Sequence, residues 1–108
     1  MKRLGMAAIM LLAGWAQAQP LSPFVSGSLQ QIVESQRGKP FVLMFWSLDC
    51  THCQHDLQQW GKLSQRKPAP SLVLVAVDGP EQQAAIRARL QQYRLSRQPA
   101  WVLADMPE

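Results

Sequence analysis

Three features of the sequence predict an α/β fold in which parallel strands form a sheet covered by helices on both faces. Two uninterrupted apolar runs, residues 41–46 (Phe-Val-Leu-Met-Phe-Trp) and 72–77 (Leu-Val-Leu-Val-Ala-Val), read as buried strands. Segments with the 3.6-residue period of an amphipathic helix precede, separate and follow them, and such alternation implies right-handed crossovers between parallel strands. Composition supplies the third feature: 108 residues that are 47% hydrophobic and 17% charged suit one globular domain and are too apolar for a disordered chain.

The N-terminus reads as an address. Lys2 and Arg3 precede an apolar stretch over 4–15, and Ala16-Gln17-Ala18 places small residues where a signal peptidase inspects them. About 13 apolar residues cannot cross a hydrocarbon core that needs about 20. Residues 1–18 are therefore expected to be a cleaved signal peptide and 19–108 the domain. With no Cys after the apolar stretch, a lipoprotein anchor is not expected, so the processed chain would not be membrane-anchored. Losing Lys2 and Arg3, two of its 11 basic residues, lowers the formal charge from +4 to about +2. The arginines are scattered and no basic run interleaves with aromatics, which argues against nucleic-acid binding.

Residues 21–27, with Pro23 and Gly27, read as an irregular lead-in. Ser28, three residues before Gln31, suggests a capping box opening a helix whose apolar stripe is Leu29, Ile32 and Val33 and whose stop is Gly38 and Pro40. The run 41–46 then reads as a central strand. From Cys50 to Arg66, Cys53, Leu57, Trp60 and Leu63 share one helical face, with Gly61 expected to weaken or bend the helix. After the loop at 68–70 and the strand at 72–77, Asp78-Gly79-Pro80 marks a helix start, and Ile86, Leu90 and Tyr93 form its buried face. Arg87, Arg89, Arg94 and Arg97 read as a solvated face. A third short strand is expected over 99–104.

The chemistry concentrates in Cys50-Thr51-His52-Cys53, at the junction of a buried strand and a helix. Cys50 falls at the helix N-terminus, where unpaired N–H groups and the positive end of the helix dipole favour an anion. Such placements lower a thiol pKa from about 8.5 to about 3.5–7. Cys53, one turn on and facing the core, can reach Cys50, which divides the pair into attacking and resolving thiols. Two other readings stand beside redox exchange. A fixed staple is one, although closing so short a loop contributes only about 2 kcal/mol against about 3 for a 15-residue loop. A zinc or copper site using Cys50, His52, Cys53 and His55 is the other, although these residues point in different directions around one helical turn. Covalent haem attachment is excluded because Gln54, not His, follows Cys53.

Residues 45–53, Phe-Trp-Ser-Leu-Asp-Cys-Thr-His-Cys, resemble the active-site segment of thioredoxin-fold proteins, usually F-W-A-x-W-C-x-x-C. The longer helix before Tyr93, and Tyr93-Arg94-Leu95 through Pro99 to Asp105, are similar to the insert of secreted TlpA/ResA-like thiol-disulfide oxidoreductases. The resemblance implies a thioredoxin-like fold, with central parallel strands flanked by helices, and places the chain in the bacterial periplasm or outside the cell. It implies exchange with protein thiols and disulfides and a membrane-embedded electron donor or oxidant. Cys50 would be the nucleophile, Cys53 the resolving thiol, and His52 a group that tunes the thiolate. Asp56 matches a carboxylate three residues past the second Cys that assists proton transfer. Neither the residues nor the resemblance calls for a cofactor.

The departures are specific. Asp49 replaces the usual Trp and sets a negative charge beside the thiolate, and Met44 stands where thioredoxin keeps a buried Asp. On a plain thioredoxin alignment Pro99 would be the cis-Pro facing the cysteines; on the insert alignment, which the spacing from Asp78 favours, it belongs to the insert. On the latter the C-terminal hairpin and helix are missing before Glu108. The expectations are then an incomplete domain, an open sheet edge near Val102 that leaves Trp101 and Leu103 partly uncovered, and an inactive truncated paralogue as a further reading.

Overall fold

Residues 72–76 are buried at every position because they occupy the interior of a sheet covered on both faces. The computed structural model describes residues 21–104, so the expected signal peptide lies outside the described residues. In chain order the elements are β1 (Ser22–Phe24), α1 (Ser28–Ser35), β2 (Val42–Trp46), α2 (Thr51–Ser64), β3 (Leu72–Ala76), α3 (Gln83–Gln92) and β4 (Ala100–Leu103), with a 3-10 turn at Pro80–Gln82 leading into α3. The four strands form one parallel sheet in the order β1-β4-β3-β2.

Alternation along the strands divides the core. Trp46, Leu72, Leu74, Ala76, Ala100 and Val102 point to the face that α2 and α3 cover with Leu57, Ile86 and Leu90, joined there by Leu95. Val73 and Val75 point to the opposite face, where they meet Ile32 of α1 and Phe24 of β1, with Leu43, Trp101 and Leu103 packed alongside. Helix α2 runs unbroken through Gly61. That glycine is buried against Tyr93, whose carbonyl occupies the space a Cβ would need.

Four expectations are corrected. The lead-in at 21–27 contains β1, which escapes a periodicity reading because it is three residues long with Pro23 at its middle. The capping box does not form: Gly27, at φ 92°, precedes α1, and the buried Ser28 hydroxyl instead accepts from the Val25 N–H (2.8 Å) and donates toward the Pro23 carbonyl (3.4 Å). The strand at 41–46 is not central; β2 is an edge strand, and Phe45 is 49% exposed. The open edge is therefore not near Val102, since β4 lies between β1 and β3 and Val102 is buried.

Candidate functional site

In a parallel sheet the loops that leave the C-terminal ends of the strands gather at one edge, a common location for sites. Chain leaving β2 makes a tight turn in which the Cys50 N–H donates to the Ser47 carbonyl (3.3 Å), and α2 begins at once. Cys50 is the N-cap of α2 in an extended conformation, and its Sγ accepts from the Cys53 N–H at 3.1 Å. A sulfur thus takes the place usually held by a Ser or Asp oxygen. Cys50 and Cys53 form a disulfide, their Cα atoms 5.1 Å apart.

The turn is braced from outside the Cys-x-x-C segment. The Leu48 N–H donates to Asp78 Oδ2 (2.9 Å), at the end of the neighbouring strand β3. Gln54 Nε2 donates back to the Ser47 carbonyl (3.2 Å), and Arg89 of α3 reaches the Leu48 carbonyl at a longer 3.5 Å. Trp46, buried at the end of β2, and the half-buried Leu48 seat the turn on the core.

The structure brings Cys50 and Cys53 together and leaves the other expected site residues around them. Both cysteines are half-buried, and Cys53 packs against the core on the α2 side. His52, His55, Asp49 and Asp56 are all exposed. Among the described residues no group of three or more His, Cys, Asp or Glu side chains converges as a metal site would require, so Cys50, His52, Cys53 and His55 are not gathered into one. Pro99 does not face the cysteines. The only cis peptide among the described residues is Lys67–Pro68, and Pro99 precedes β4 at the N-terminal end of the sheet, its carbonyl accepting from Leu74 N–H (3.0 Å).

Sequence reading missed the bracing residues. Asp78 was legible only as part of a helix start, Arg89 as part of a solvated face, and Gln54 only as the residue that excludes haem. The contacts of Asp78 and Arg89 with Leu48 span 30 and 41 residues, which no local pattern signals.

Comparison of the chain with known protein families, with curated proteins and with solved structures gives no match in any of the three. The class that the fold and site define is a small α/β protein with a parallel sheet, in which a disulfide-forming Cys-x-x-Cys pair caps the helix fed by an edge strand.

Proposed function

We propose that this protein is a thioredoxin-like thiol-disulfide oxidoreductase that exchanges disulfides with partner proteins in the bacterial cell envelope. The observation that carries the reading is the Cys53 N–H aimed at Cys50 Sγ at the first turn of α2. The same donor that meets a disulfide sulfur meets a thiolate when the pair is reduced, and the helix terminus adds its positive end. Reduced Cys50 is therefore the better leaving group and the more ionised nucleophile of the two.

In the reductive direction the Cys50 thiolate attacks one sulfur of a partner disulfide, forming the mixed disulfide and expelling the partner's other sulfur as a thiolate. Cys53, deprotonated, then attacks Cys50 Sγ, closes the intramolecular disulfide and releases the second partner thiol. Two electrons pass to the partner, and the reverse sequence oxidises a partner dithiol. Asp56, on the next turn after Cys53, is the carboxylate proposed to exchange a proton with it through water. His52, exposed in the first turn of α2, is the group proposed to tune the thiolate; with about 30 mV per 1.4 kcal/mol for a two-electron couple, a role in favouring the reduced form means that His52→Pro makes the pair more reducing by tens of millivolts.

The test is a Cys53→Ser variant incubated with a disulfide-bonded peptide. A mixed disulfide on Cys50 that persists until a thiol is added supports the reading. Its absence while Cys50 still reacts with an alkylating agent removes it.

A further inference from the structure

The two edges of the sheet treat their free backbone groups in opposite ways. At β1 the Phe24 carbonyl accepts from Ala104 N–H, so Phe24 and Ser22 turn toward β4 and Pro23 turns outward. Pro23 has no N–H to offer, its carbonyl is approached by the Ser28 hydroxyl, and the next outward N–H, Val25, is taken by that same hydroxyl. The β1 edge is closed to another strand.

At β2 the Val42 N–H donates to the Ser71 carbonyl and the Trp46 carbonyl accepts from Val77 N–H. Val42, Met44 and Trp46 therefore turn their backbone groups toward β3, and by alternation Leu43 and Phe45 turn theirs to the open side, where no strand pairs with them among the described residues. No Pro, Gly or charged residue protects this edge. The Leu43 and Phe45 side chains share the α1 face, and the Phe45 ring is half exposed there.

We infer that β2 pairs with β2 of a second copy of this chain, antiparallel about a two-fold axis at Met44. Three properties of the edge select that occupant. It is self-complementary: Leu43 of each copy lies opposite Phe45 of the other, each pair exchanging both of its N–H···O bonds, and each exposed phenyl ring gains an aliphatic cover. Charge favours the antiparallel sense, because exposed Lys39 stands at the entry of β2 and exposed Asp49 at its exit, so the two-fold sets each basic end beside an acidic end whereas a parallel pair would set like beside like. Finally, the assembly closes at two copies, since both outer edges of the joined sheet are the blunted β1 strands. Each Asp49, the negative charge next to Cys50, thereby gains a lysine supplied by the other copy.

Sedimentation equilibrium of the full chain is the test. A dimer is expected for the wild type, and a monomer for Phe45→Lys, which alters a half-exposed side chain and should leave the far-ultraviolet circular dichroism unchanged. Lys39→Glu should weaken the dimer at low salt, and Lys39→Glu combined with Asp49→Lys should restore it. A monomeric wild type, as expected if the edge is filled by another protein or by part of this chain, overturns the inference. So does a dimer indifferent to Phe45→Lys, or a charge exchange that rescues nothing. None of these outcomes depends on the redox reading, which Cys53→Ser tests separately.

Discussion

On the face that carries α2 and α3, Leu57, Ile86 and Leu95 are fully buried; on the face that carries α1, Phe45, Leu29 and Val33 each keep about half of their surface in water. Both faces belong to the same four strands, and they differ in helical coverage. Two helices of 14 and 10 residues lie on the first face and one of 8 residues on the second. The cysteine pair is built on the first, where α2 sets the Cys53 N–H 3.1 Å from Cys50 Sγ. What remains open lies on the second face and on the β2 edge, whose strand leads through Asp49 into Cys50, so pairing there meets the approach to the site and not its packed face.

The sharpest way to break this comparison is to loosen the packed face. Leu57→Ala removes a side chain that is 0% exposed between α2 and the sheet and should cost about 2–5 kcal/mol, read as a lower urea midpoint at unchanged slope. Gly61→Ala tests the same face by overfilling it. The added Cβ meets the Tyr93 backbone instead of a movable side chain, so helix α2 or the segment after α3 must shift, at about 1–3 kcal/mol. If Gly61→Ala were neutral, the close packing of α2 against Tyr93 would be refuted.

A smaller effect is expected where the packed face meets the site. Asp78→Ala leaves the half-buried Leu48 N–H without its carboxylate partner and should cost about 1–3 kcal/mol. Because Asp78 acts on the turn and not on sulfur, the informative readout is the rate at which reduced Cys50 is alkylated across pH. A changed profile identifies Asp78 as a positioning residue for Cys50; a lost stability with an unchanged profile restricts it to bracing the fold.

How much of this was legible depended on whether a signal is local. The helices and the three longer strands follow from periodicity and uninterrupted apolar runs, and Cys50 at the start of α2 follows from the residues around it. The order of strands does not. An apolar run such as 41–46 reports that a strand prefers to leave water, not how many neighbours it has, so an edge strand with a half-exposed Phe45 gives the same signal as a central one. Ser28 shows the converse: its spacing to Gln31 suits a capping box, but the β1 edge offered the Pro23 carbonyl and the Val25 N–H, and the hydroxyl serves those instead. At the site the cysteines were legible and their bracing was not, since Asp78 and Arg89 reach Leu48 only after the sheet has formed.

The smallest expected effect sits on the open face and sharpens the comparison most economically. Leu29 and Val33, one turn apart on α1, are 50% and 51% exposed, whereas Ile32 between them is 1% exposed. Replacing both with Gln removes apolar surface that is already half in water and leaves no cavity, so each change should stay within about 0.5 kcal/mol of neutral. Ile32→Ala, on the same helix, should cost about 2–5 kcal/mol, because it empties the contact with Val73 and Val75. The ratio between the two experiments measures how much of α1 serves the core. Were the Leu29 and Val33 substitutions as damaging as Ile32→Ala, those side chains would have to be covered in solution, and the α1 face could no longer be counted as open.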